Sequence, residues 1–354
     1  METLLTSAEG EQPNRLNLGL FFRKCSGPRC VRRDNLLRCG ACQVIQYCGA
    51  EHQKAHRPAH KTSCNLVKEA RRALESERAS LEAHPGDMMT PANPFQEVPG
   101  QFWFWSGTRP YMQRYHDLMS AVLNVRTGEA VEEALKCALD MLRLNRGDNQ
   151  GVREQIPSLY LRLGRDQEAY DFLKWYAAKG TSDYDWRDMD LQFLNLKGED
   201  ALEDYLECSV EKVITLPFIA AMTNLKIRLL LDLRGLQEEV QKHPNLSYEK
   251  KMEWIREEAI SDVLYNRKDI VDRPDYKDLV ASLQKQVASL YDRVDELNKH
   301  YWPALHHPER YSHAMPTIYS LGSPEEVIIA FRHTWYSWSE CEQAIDFVKR
   351  IKAR

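Results

Sequence analysis

The chain has 354 residues, 43% of them hydrophobic and 28% charged, with a net charge of −4 from 48 Lys+Arg and 52 Asp+Glu. That balance excludes a wholly disordered chain, a collagen-like polymer and a polycation. The length leaves room for a sizeable core and roughly two or three domains.

Residues 1–24 form a lead-in that begins acidic, with Glu2, Glu9 and Glu11, and lacks the apolar stretch of a secretory signal. The longest uncharged apolar run, Val213 to Leu225, lies between Lys212 and Lys226 and contains a proline. It falls well short of the ~20 residues a bilayer span needs. No membrane partner is expected, and a reducing intracellular compartment, cytoplasmic or nuclear, is the default.

Six of the nine cysteines fall between Cys25 and Cys64, together with His52, His56 and His60. In a reducing compartment such a cluster points to metal rather than disulfides. The residues resolve into four pairs: Cys25/Cys30, Cys39/Cys42, Cys48/His52 and His60/Cys64. The last two have i,i+4 spacing, which brings side chains together on one helix face. Eight thiolate or imidazole donors make two tetrahedral sites, the stoichiometry of structural zinc. Spacing alone permits sequential, interleaved or nested pairing. Ordinary buried cysteines are a poor alternative, because Arg29, Arg32, Arg33 and Arg38 surround them and large apolar residues are few. A unit this small needs a metal staple. His56 is a possible spare ligand, though a solvated helix face suits it better.

The run CSGPRC…CGAC…YC…H…H…C resembles a MYND-type zinc finger across residues 25–64. The resemblance implies two Zn2+ ions in interleaved sites: Cys25, Cys30, Cys48 and His52 for the first, Cys39, Cys42, His60 and Cys64 for the second. Three features depart from the family pattern. The first knuckle has four intervening residues instead of two, His52 stands where a cysteine is usual, and Arg57 stands where most members carry a tryptophan. The resemblance further implies binding of other proteins, in particular short proline-containing peptides, beside a small β-hairpin. Gln53 and Arg57 are the candidate groove residues.

Residues 15–64 hold 10 Lys+Arg against 2 Asp+Glu, a formal +8. Two zinc ions with six thiolates bring the finger near +6. A basic finger on an acidic body admits a second reading, a nucleic-acid-associated transcriptional regulator. Nucleic acid is nonetheless disfavoured as a partner: there is no recognition-helix pattern and no interleaving of aromatic and basic residues for base stacking.

The remainder reads as helix. Residues 65–83 are rich in Ala, Glu, Arg and Leu and form a connecting helix. Residues 84–108, with four prolines between His84 and Gly100, form a linker. It ends in Phe102-Trp103-Phe104-Trp105, aromatics suited to anchoring it on the body. Residues 109–354 make a helical-repeat domain. Breaks at Thr127-Gly128, Arg146-Gly147-Asp148 and Gly164-Arg165-Asp166 predict four helices between Arg109 and Lys179. Ala134 and Ala169 hold comparable places 35 residues apart, close to the tetratricopeptide period. This block resembles the tetratricopeptide-like helical pairs found beside some MYND fingers. Further helices are predicted at Asp200–Cys208, Leu216–Gln241, Tyr248–Tyr265 and Lys277–His300. Ser323-Pro324-Glu325-Glu326 opens a closing helix.

The sequence points away from catalysis. A lysine methyltransferase family also contains this finger, but the SET signature Asn-His-Ser-Cys is absent, and only 24 residues precede Cys25. No phosphate loop, G-x-S-x-G or HExxH occurs. His306, His307, His313 and Glu309 read as a surface turn, and Cys137, Cys208 and Cys341 as small core residues. The expected fold is mainly α, a double-zinc finger followed by an all-α helical-repeat body. The expected role is a non-catalytic adaptor.

Overall fold

The computed structural model describes residues 24–179, 184–208, 215–311, 316 and 318–351. The lead-in before Lys24, His313 and the side chain of Cys208 lie outside the described residues. Among those described, the chain is mainly helical with an N-terminal finger, and none of its helices is long and apolar enough to cross a membrane.

The finger contains two short strands, β1 (Leu37–Arg38) and β2 (Gln46–Tyr47), paired antiparallel with Leu37 opposite Tyr47. Helix α1 follows and runs without a break from Ala50 to Glu82. At 1.5 Å per residue its 33 residues extend about 50 Å. The boundary expected after Cys64 falls inside this helix. No stop signal separates the last ligand from the Ala- and Glu-rich stretch beyond it, so the finger's helix and the connecting helix are one element.

The segment expected to be a linker is packed. A short helix α2 (Pro94–Glu97) brings Phe95 to 5.2 Å from Phe102 and 5.0 Å from the ring of Tyr111. Arg78 of α1 lies over the Phe95 ring. Phe102 is fully buried and its N–H donates to the Leu144 carbonyl. Of the four consecutive aromatics this one is the anchor; Phe104 is 66% exposed.

Four helices follow in order: α3 (Arg109–Leu123), α4 (Gly128–Leu144), α5 (Ile156–Arg162) and α6 (Asp166–Ala178). Each packs on the next, and α1 packs on α3. Thr127 caps α4 by accepting from the Ala130 N–H. Ala134 and Ala169 are both fully buried. After the short α7 (Tyr205–Cys208) comes α8 (Leu216–Lys242), buried on nearly all sides from Leu216 to Leu230. It touches α5, α6, α9 (Tyr248–Glu258), α11 (Lys277–Leu297), α13 (Pro324–Ser339) and α14 (Glu342–Ile351). Two short helices complete the body, α10 (Lys268–Val271) and α12 (Tyr301–His306). Leu283, Val287, Leu290 and Val294 of α11 are buried, and α11 packs on α8. Ser323 caps α13 by accepting from the Glu326 N–H.

Charges inside this core hold the helices in register. Arg228 of α8 pairs with Asp166 of α6 at 3.1 Å, both buried. Its other nitrogens donate to the carbonyls of Leu161 and Ile260. Asp232 accepts from the N–H groups of Ile260 and Ser261. That capture ends α9 at Glu258, short of the predicted Tyr265. Lys226 donates to the carbonyls of Ala201 and Glu203 and to Gln286. Helix accordingly begins at Tyr205 rather than at the predicted Asp200. Arg162 of α5 forms a two-bond pair with Glu340 at 2.8 Å each.

Removing one member of a buried pair strands the other charge, at a cost of about 3–5 kcal/mol. Arg228→Met is expected to destabilise the protein by that amount in urea unfolding. Adding Asp166→Asn to it should restore part of the loss.

Candidate metal centre

The chain folds so that eight donors converge in two groups of four. Cys25, Cys30, Cys48 and His52 place their ligand atoms within 4.8 Å of one another, and so do Cys39, Cys42, His60 and Cys64. The groups are interleaved in sequence. The i,i+4 spacing acts as predicted on α1, where His60 and Cys64 share a face. His52, on the first turn of the same helix, reaches back to Cys48 before it.

The distances fit a tetrahedral cation. With Zn–S about 2.3 Å and Zn–N about 2.0–2.1 Å, a regular tetrahedron has S···S edges of about 3.8 Å and S···N edges of about 3.5 Å. In the first site Cys30 Sγ is 3.9 Å from Cys48 Sγ, and Cys25 Sγ is 3.5 Å from His52 Nδ1. The Cys48–His52 edge is shorter, at 2.9 Å. In the second site Cys39 Sγ lies 3.8 Å from Cys64 Sγ, and Cys42 Sγ 3.4 Å from His60 Nε2. His52 thus offers Nδ1 and His60 offers Nε2. The second site is wholly buried; in the first only Cys25 is.

The electrostatics call for the same cation. Burial and the neighbouring thiols Cys25 and Cys30 push Cys48 up to about 11. Burial with Cys42 and Cys39 pushes Cys64 up to about 12. Cys25 goes the other way: burial opposes ionisation, but the N–H groups of Cys48 and Gly27 outweigh it and hold the thiol at about 7. Three thiolates this close ionise together only around a positive ion. The two Cys3His sites are zinc sites, one Zn2+ each.

Neighbouring residues orient the ligands. His56 belongs to neither donor set; its Nδ1 is 3.0 Å from the Tyr47 hydroxyl and its ring stacks on His60 at 5.7 Å. Gln53 is half-buried and donates to Cys39 Sγ at 3.8 Å, so its amide bonds a ligand of the second site. Arg57 is exposed. Gly27 is required by close approach: a Cβ there would meet His52 Cβ at 2.5 Å.

Arg71 is the residue that sequence reasoning missed. It donates to the carbonyl of the zinc ligand Cys42 at 3.3 Å and pairs with Glu133 of α4, tying the finger to the body. One more arginine in an arginine-rich helix carries no distinguishing signal.

The family model of the MYND finger matches residues 23–64. Fingers of this family commonly serve protein–protein interaction. No curated protein and no solved structure matches the chain.

Two outcomes are expected. Metal analysis should return two zinc ions per chain, and Cys39→Ser should lose about one of them. Chelation should speed amide exchange across residues 25–64, including the first half of α1, while amides of α8 stay protected. Equal loss of protection in α8 would mean the body depends on zinc throughout.

Proposed function

We propose that this protein is a non-catalytic adaptor, binding other proteins through the finger and using the helical body as a scaffold of tetratricopeptide-like pairs. The observation that carries the reading is the continuity of α1. The helix that supplies His52, His60 and Cys64 also packs on α3, so the finger is held on the body as a presented head. Consecutive packing of α3, α4, α5 and α6 supports the repeat-like arrangement. One cleft between finger and body, about 320 Å³, is lined by Arg38, Gln43, Arg71, Glu129, Glu132, Glu133 and Lys136. A second, along α1 and α3, is lined by Leu66, alanines and surface polar groups.

The peptide preference follows from Arg57. A tryptophan wall would give prolines a flat apolar face; a guanidinium prefers carboxylates and keeps its head in water. With the amide of Gln53 engaged at Cys39, the groove offers charge more than apolar surface. Neutral proline-rich peptides are expected to bind weakly, and the same peptides flanked by aspartate to bind better. Arg57→Trp should strengthen neutral-peptide binding by about 1–3 kcal/mol, with zinc content unchanged. The check is a titration of both proteins against both peptides. Tight wild-type binding to the neutral peptide, undiminished relative to the variant, would remove the groove from the reading.

A further inference from the structure

The stretch between the two zinc sites, Val31 to Arg38, belongs neither to the metal centre nor to the Gln53/Arg57 groove. It is tethered at both ends, by Cys30 to the first site and by Cys39 to the second. The Arg32 carbonyl accepts from the Cys25 N–H at 2.8 Å, and Leu37 and Arg38 are held by pairing with Tyr47 and Gln46. The loop is therefore a fixed surface, and an unusual one. Val31 is 82% exposed and Leu37 70% exposed. Around them Lys24, Arg29, Arg32, Arg33 and Arg38 are all exposed. Asp34 is the sole acidic residue between Lys24 and Gln46.

Two aliphatic side chains held in water among arginines mark a contact surface, and the residue types select its partner. Four of the five cations are arginines, whose planar forks suit paired carboxylates as well as phosphate. The stretch from Lys24 to Gln46 contains no Phe, Tyr or Trp. Single-stranded nucleic acid takes aromatic platforms for its bases, and a membrane-seated loop takes aromatic anchors at the headgroup level. What remains is a polypeptide whose acidic residues meet the arginines and whose aliphatic residues cover Val31 and Leu37. We infer that the loop from Val31 to Arg38 is a docking surface for a segment of another protein in which acidic residues alternate with aliphatic ones.

The test uses the full-length zinc-loaded protein at physiological salt, with a fluorescein-labelled peptide of three Asp-Leu-Glu-Val repeats. Two control peptides replace the acids by Asn and Gln, or the aliphatics by Ser. Each control is expected to bind at least about tenfold more weakly, one decade in Kd. Val31→Ser with Leu37→Ser should weaken the acidic-aliphatic peptide by a similar factor, as should Arg29→Ala with Arg32→Ala and Arg38→Ala. Both variants should retain two zinc ions, which shows that the finger is folded. Val31→Ser with Leu37→Ser should leave binding of the aspartate-flanked proline peptide unchanged, so failure of the groove and failure of this surface are read separately. Equal binding of either control peptide, or variants that bind as the wild type does, would overturn the inference. Tighter binding of oligothymidylate or of phosphatidylserine vesicles would reassign the surface to nucleic acid or membrane. Self-association abolished by the arginine variant would reassign it to a second copy of this chain.

Discussion

Coordination of His52, His60 and Cys64 fixes the first half of α1, and little else in the chain does so. The helix is polar along most of its length, with only His60, Cys64, Val67 and Leu81 buried. Pro58 sits inside it and removes the N–H that would bond back to the carbonyl of Lys54. A proline between two ligands is tolerable because metal bonds on either side hold the backbone that the missing hydrogen bond would have held. Structural zinc provides apparent binding energies on the order of 10–16 kcal/mol in small fingers, more than an interior proline costs. Past Cys64 the metal gives way to packing on α3 and to Arg71, which grips the Cys42 carbonyl on one side and Glu133 on the other.

The body solves a different problem. Its central helix α8 is buried nearly all round, yet carries Lys226, Arg228 and Asp232 within it. Each bonds backbone groups of segments that are not regular helix, namely 201–203 and 260–261. These charges place the irregular chain that must cross the core and satisfy its polar groups. Apolar residues at those positions would fill the space but leave those peptide groups without partners.

The contrast explains what was legible in the sequence. Zinc requires particular donor atoms at particular spacings, so the eight ligands stand out in the sequence, and the resemblance supplied the interleaving that spacing left open. Helices α3 to α6 were legible as well, because glycine-containing breaks and caps such as Thr127 are local signals. Ends set by distant residues were not. Nothing near Ala259 announces that Asp232 will take the next two N–H groups, and nothing near Asp200 announces Lys226. The fusion of the finger's helix with the helix after it was missed for a related reason: a helix has no cause to stop at its last ligand. Gln53 and His56 were legible as finger residues but not in their roles beside Cys39 and His60, which depend on the three-dimensional crossing of the two sites.

The unbroken course of α1 makes angular phase a property of the molecule. Each residue of an α-helix advances the axis by 1.5 Å and turns it by about 100°. The finger is read out from one end of this shaft and the body grips the other. A single residue added or lost between Cys64 and Arg71 would therefore swing the finger's exposed faces by more than a quarter turn while changing their distance from the body hardly at all. Seven residues added would bring the finger almost back into phase, two turns farther out. The direction in which the finger faces is thus encoded as a residue count along a helix, separately from the chemistry of its surface.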